Sequence, residues 1–259
     1  MTETQPRAIQ APRILWRRAE VLEIFPETPR VKSLLLRVPG WPGHVPGQHV
    51  DVRLTAENGY RAEGSYSLAS APATGLPQRE IVQLTVERLG EGEVLPDLAE
   101  QLRAGDRLEL RGPIGGSFTW TVESGGPLIL VAGGTGIVPI MSMLRYRAAQ
   151  GSRIPAWLLN SSRRYEEIVY REELGRLEAA GDGLRVVHTL TRSQPPGWPG
   201  FRRRIDREML RAVMPPLQTS TRAYVCGPAE MVETVATALV ELGHDSERVK
   251  TERFGPTGP

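Results

Sequence analysis

The chain has 259 residues, of which 40% are hydrophobic and 24% charged, and a net charge of +2. That length buries a substantial core as one large domain or two modest ones, and so even a charge balance argues against a nucleic-acid binder. A single cysteine, Cys226, excludes an intrachain disulfide, a Cys-ligated zinc site and a four-cysteine iron–sulfur cluster, so no metal site is expected.

Residues 1–13 are polar and proline-bearing, a flexible tail without an apolar signal region. No later run reaches the roughly 18 apolar residues that span a membrane. A cytoplasmic protein without membrane contact is the expectation. From 14 to 123 the apolar residues fall in short, alternating, β-rich runs at 16–24, 31–38, 49–54, 65–69, 81–89 and 107–110, broken by Gly and Pro. This rhythm predicts about six strands in a small antiparallel barrel or sandwich.

After Ser124-Gly125-Gly126-Pro127, which reads as a linker, the period changes. Residues 128–132 are a continuous apolar strand, and Ile137, Ile140, Met141 and Leu144 follow at helical spacing. Strands at 154–159, 184–191 and 223–226 then alternate with helices at 165–180 and 206–214. A last helix carries Val232, Val235, Leu239 and Leu242 on one face, and 248–254 closes the sheet. Residues 127–259 are therefore expected to form an α/β domain on a doubly wound parallel sheet.

The apolar strand runs directly into Gly133-Gly134-Thr135-Gly136 and then a helix. Glycines let the backbone approach a phosphate, and the helix offers free N–H groups and the positive end of its dipole. The spacing is not the usual G-x-G-x-x-G, but the strand before and the helix after are present. Three further segments accompany it: Ser65-Tyr66-Ser67 at a barrel strand end, Gly112-Pro113-Ile114-Gly115-Gly116-Ser117-Phe118, and Tyr224-Val225-Cys226-Gly227-Pro228, which puts a thiol at the carboxyl end of a strand.

In this order and at these separations, the segments resemble the ferredoxin–NADP reductase superfamily over about residues 14 to 258, particularly bacterial stand-alone ferredoxin reductases and oxygenase reductases. The resemblance implies a six-stranded antiparallel barrel carrying FAD, in preference to FMN, and an α/β domain carrying a nicotinamide dinucleotide. It implies that Tyr66 packs on the flavin ring, Ser67 lies near N5, and Gly92, Val94, Gly115 and Gly116 offer backbone to the flavin. Gly133, Gly134, Thr135 and Gly136 would take the dinucleotide pyrophosphate, with Cys226, Gly227 and Pro228 beside the nicotinamide. Glu252 would relay a proton toward Ser67, and Phe254 would cover the ring. Hydride would pass from the nicotinamide to the flavin, with Ser67, Cys226 and Glu252 as the catalytic set. Because no cluster domain is present, electrons would leave to a separate ferredoxin, flavodoxin or oxygenase component. Ser161, Arg163, Tyr170 and Arg171 follow the second strand of the sheet, where NAD enzymes tend to place a carboxylate; hydroxyls and guanidinia there favour the 2′-phosphate of NADPH over NADH. Arg202-Arg203-Arg204 would extend the phosphate site or face an acidic partner. Monomer is the default.

Two positions depart from the family pattern. Gly64 stands where relatives carry an arginine for the flavin phosphate, a contact worth about 1.5–3 kcal/mol, and Leu95 stands where relatives carry a serine. Arg53 and Arg61 are the nearest cations in sequence that would compensate. The rival reading is a degenerate member that binds flavin weakly or not at all and serves as a regulatory or scaffolding subunit.

Overall fold

A computed structural model describes residues 14–55, 59–73, 75, 77–88, 101–215 and 218–254. Strands β1 (Trp16–Thr28), β2 (Val31–Arg37), β3 (His49–Thr55), β4 (Arg61–Ser67), β5 (Ile81–Glu87) and β6 (Arg107–Ile114) make a six-stranded antiparallel sheet in the order β4-β3-β6-β1-β2-β5. A bridge between Leu68 and Leu84 draws its two edges together, curling the sheet toward a barrel. Alternation sets the faces: Val50, Val52 and Leu54 of β3 are buried with Leu34, Leu36, Leu84 and Leu110, while His49, Asp51 and Arg53 point the other way. On that outer face Arg53 forks onto Glu109 with two 2.8 Å hydrogen bonds, Arg111 reaches Asp51 at 2.6 Å, and both guanidinia stack on Trp16.

The second sheet is parallel, in the order β11-β10-β7-β8-β9. It is built from β7 (Leu128–Gly133), α1 (Ile137–Ala149), β8 (Ala156–Ser162), α2 (Arg171–Ala179), β9 (Leu184–Leu190), α3 (Arg207–Val213), β10 (Arg222–Pro228), α4 (Ala229–Glu241) and β11 (Val249–Phe254). Every residue of β7 is buried, which is why its sequence is an unbroken apolar run. Residues Ile137 to Leu144 of α1 are also buried all round. One side of the helix lies on the sheet, and the rest packs in a cluster with Val31, Ala69, Phe118 and Trp120 of the first half. The two sheets thus share one apolar core across their junction.

The helix expected over 165–180 is broken. A single 3-10 turn, Tyr165–Glu167, is followed by buried Ile168 and Val169, and Tyr170 adopts φ 57° before α2 begins. A left-handed tyrosine costs about 1–2 kcal/mol, and the barrel supplies the compensation. The Tyr170 ring is 3% exposed, and its hydroxyl bonds that of Thr85 on β5. The Thr85 hydroxyl is 2.9 Å from that of Ser33, which donates to Glu27 at 2.6 Å and accepts from Gln83 at 2.9 Å. Arg145 of α1 stacks 5.0 Å from the Tyr170 ring centroid. It clasps Glu173 with bonds of 2.8 and 2.7 Å, and donates to Ala69 O at 2.8 Å and Gln83 Oε1 at 2.9 Å.

Arg145→Ala leaves the Glu173 carboxylate and the Gln83 and Ala69 acceptors without their donor. We expect a loss of about 3–5 kcal/mol and a separation of the urea transition into two steps, one per sheet, read by circular dichroism and tryptophan fluorescence. A single transition at the wild-type midpoint would contradict the role given to this residue.

Candidate functional site

A cleft of about 540 Å³ opens between the two sheets. Its α/β wall carries Gly133, Gly134 and Thr135 at the start of α1, Ser161, Ser162 and Arg163 after β8, Thr191 and Arg192 after β9, and Pro228 at the end of β10. All lie at the carboxyl edge of the parallel sheet, where open α/β sheets bind ligands. The opposite wall, from the barrel, carries Thr28, Arg30, Val31 and Glu87. Four arginines and three glutamates line the cleft, and Arg204 is neutralised by Glu230 at 2.9 Å. Among the described residues Arg30, Arg163 and Arg192 have no ion-pair partner.

Packing and ligand demands divide the glycine turn. A Cβ on Gly136 would stand 2.2 Å from the Cys226 carbonyl oxygen, so that glycine lets α1 approach β10. Gly134, at φ +55°, turns the chain beneath the open cleft, and its nearest neighbour is the Phe254 ring, 3.9 Å from where a Cβ would lie. Thr135 Oγ1 donates to Glu87 Oε2 at 3.1 Å, a hydrogen bond that crosses between the walls. N–H groups at the head of a thirteen-residue helix and open backbone at Gly134 suit a phosphate.

The side chains expected around a flavin ring lie in two groups, one on β10 and β11 and one on the barrel. Cross-strand pairing sets Cys226 opposite Glu252, and Pro228 opposite Phe254. Burial, with the nearby Glu252 carboxylate, raises the Cys226 thiol well above its usual range, so it is a neutral, compact group. Burial lifts the Glu252 carboxyl to about 7, and no hydrogen-bond or ion-pair partner offsets this among the described residues. On the barrel, Tyr66 pairs with Val50 and Ser67 with His49. Gly115 lies against the same histidine, a Cβ there being 3.4 Å from Nδ1, and Gly116 faces open space. The chain running on from Ser67 is fastened to α1, since Ser142 Oγ donates to Ser70 O at 2.7 Å. A half-buried acid without a counter-charge, a neutral thiol and unobstructed glycine backbone fit the ring end of a flavin.

At the phosphate end the fit is thinner. Gly64 is opposite Val52 on the barrel-interior face, whereas Arg53 and Arg61 belong to the alternate positions on the outer face. Arg53 is also committed to Glu109. The sequence expectation that these two arginines replace the missing one is therefore corrected by strand register. Gly92, Val94 and Leu95 lie outside the described residues.

The expected 2′-phosphate group is also corrected. Ser161 and Arg163 line the cleft, but Tyr170 is buried at the interdomain junction, and Arg171, which is not among the residues lining the cleft, stacks 4.3 Å from the Tyr165 ring centroid. Of the three consecutive arginines only Arg204 reaches the cleft; Arg203 is paired with Asp206 at 2.9 Å, and Arg202 donates to Trp198 O at 3.3 Å. Residues that the sequence reading missed are Arg192, which the carboxyl-edge rule applied to β9 would have found, and Arg30, Glu87 and His49, which no local pattern marks.

Glu252→Gln tests the unpaired acid. A carboxyl whose folded pKa is raised stabilises the protein in its protonated form, and that contribution is lost as pH rises through about 7. In the flavin-free protein the glutamine variant is expected to match wild type at pH 4 and to exceed it by about 1–2 kcal/mol at pH 8.5, after discounting for partial exposure. Equal stabilities at both values would contradict the burial argument.

The geometry agrees with what the chain is similar to. A model of the oxidoreductase NAD-binding domain matches residues 130–237. Ferredoxin–NADP reductase B of Sorangium cellulosum is 34% identical over 216 residues, 80% of this chain and 84% of that protein. The glycine betaine monooxygenase reductase subunit of Pseudomonas aeruginosa is 28% identical over 83% of this chain, which spans 57% of that relative's length. The FAD/NAD-binding domain of the Vibrio cholerae nitric oxide dioxygenase superposes with a TM-score of 0.81 at 24% identity, covering 93% of this chain and 99% of that one. A Neisseria gonorrhoeae ferredoxin NADP+ reductase with bound FAD and NADP gives 0.76 at 20% identity, over 92% and 98%. With both sheets, the glycine turn between β7 and α1, and a relative sharing a third of its residues over most of its length, this chain belongs to the ferredoxin–NADP reductase family.

Proposed function

We propose that the protein carries electrons from NADPH through FAD to a separate acceptor protein, a ferredoxin or an oxygenase component. The observation that carries the nucleotide choice is the pair of arginines, Arg163 and Arg192, facing the cleft from the ends of β8 and β9 without a carboxylate partner among the described residues. With the hydroxyls of Ser161, Ser162 and Thr191 beside them, they form a donor set for a phosphate monoester, which NADPH has and NADH lacks. The naming of the Sorangium relative as a ferredoxin–NADP reductase, and of the Pseudomonas relative as a monooxygenase reductase subunit, supports an acceptor of this class.

Tyr66, Ser67, Gly115, Gly116 and Phe254 would hold the flavin, which when bound accepts an electron pair from the nicotinamide and passes electrons onward. The Cys226 thiol, kept neutral, gives the nicotinamide a compact wall without adding charge. The Glu252 carboxyl, raised to about 7, would exchange a proton near neutral pH, and Ser67 is the hydroxyl through which it would be delivered. The apolar junction around Ala69, Phe118 and Cys226 keeps water from the meeting point.

Anaerobic titration of the FAD-reconstituted protein with NADPH and with NADH tests this reading. Flavin bleaching is expected at far lower NADPH than NADH. Arg163→Ala should lose roughly ten- to a hundredfold in NADPH affinity and little for NADH, the value of one charge-assisted contact. In single turnover, Cys226→Ala should slow bleaching while leaving flavin absorbance intact. Failure of the wild type to take up flavin, with no bleaching by either nucleotide, would favour a regulatory or scaffolding subunit, with Gly64→Arg as the rescue.

A further inference from the structure

Arg30 is unlike the other cleft arginines. It belongs to the barrel, in the turn between β1 and β2, and faces the glycine turn from the opposite wall. Its placement is fixed from two directions. Arg88 N donates to Arg30 O at 2.9 Å, and Arg30 Nε and Nη2 donate to Arg88 O at 3.2 and 2.7 Å. Residue 88 directly follows Glu87, whose carboxylate accepts the hydrogen bond from Thr135. Arg30 is therefore held at the glycine-turn end of the cleft. Among the described residues its Nη1 has no hydrogen-bond partner and its charge no carboxylate. A guanidinium already immobilised by its own backbone neighbour loses little freedom on meeting an anion.

We infer that Arg30 is a ligand of the dinucleotide pyrophosphate, supplied by the flavin-side half of the molecule and facing the N–H groups of the Gly134–Thr135 turn. This rests on the nucleotide reading above and adds a division of labour to it. Arg163 and Arg192, at the ends of β8 and β9, distinguish NADPH from NADH. Arg30 sees only the phosphates that the two nucleotides share, so it sets affinity without setting preference. It also makes dinucleotide binding depend on both walls of the cleft, so that the dinucleotide is gripped only where the two sheets are docked.

Equilibrium binding to the FAD-reconstituted protein, by calorimetry, separates these roles with three probes: NADP+, NAD+ and 2′-AMP, which carries the 2′-phosphate but no pyrophosphate. Arg30→Gln is expected to weaken NADP+ and NAD+ by the same factor, roughly ten- to a hundredfold, and to leave 2′-AMP unchanged. Arg163→Ala should weaken NADP+ and 2′-AMP and spare NAD+. Unchanged NADP+ binding in Arg30→Gln would overturn the assignment, as would an equal loss of 2′-AMP, which would mean an indirect effect or a different subsite. Should Arg30→Gln fail to retain flavin or fold, Arg30→Lys keeps the charge without the fork. An intermediate NADP+ affinity with normal 2′-AMP binding then supports the role, and wild-type NADP+ affinity overturns it. If the wild type binds 2′-AMP and NADP+ no better than NAD+, the NADPH reading itself has failed, an outcome distinct from any effect of Arg30.

Discussion

The guanidinium of Arg145 satisfies groups from both halves of the molecule at once. It closes on Glu173 within the α/β half and on the Ala69 carbonyl and Gln83 amide oxygen of the barrel, while stacking on Tyr170. A planar fork with five donors suits that task, and a compact ammonium would not reach all the acceptors. Around it, the hydroxyls of Ser33, Thr85 and Tyr170 form a continuous buried chain, and the apolar contacts of Phe118, Trp120 and α1 surround it. Buried polar networks of this kind are costly when half made, so the junction favours one docked arrangement over a range of loose ones.

The cleft depends on that arrangement. Its glycine turn, Ser161, Arg163 and Arg192 belong to one sheet, and Arg30 and Glu87 to the other. The Thr135–Glu87 hydrogen bond spans the gap. Electrostatics differ along the site: among the described residues Arg30, Arg163 and Arg192 line the cleft without carboxylate partners, while the Cys226 thiol is kept neutral and the Glu252 carboxyl beside it titrates near 7.

Features settled by local pattern were legible in the sequence. The β7 run is apolar because both faces of a central parallel strand are covered, and that property is visible in the residues themselves. The glycine turn was legible for the same reason, as strand, glycines and helix are consecutive. Features settled by distant partners were not. The Glu- and Leu-rich stretch after Tyr170 reads as one helix with the residues before it, and the break appears only because Thr85, 85 positions earlier, holds the tyrosine hydroxyl. Arg53 and Arg61 are close to Gly64 along the chain, yet pleating sends their side chains to the opposite face. Arg30 and His49 acquire meaning only when strands pair and sheets dock.

Whether the cleft exists before nucleotide arrives decides between a preformed site and one made by domain closure. Small-angle scattering of the FAD-loaded protein, free and with saturating NADP+, measures this directly. A junction fixed by Arg145 and Tyr170 predicts the same radius of gyration and the same pair-distance distribution in both states. Contraction on adding NADP+ would show that the sheets are apart in the free protein, and would contradict the dependence of the cleft on that junction.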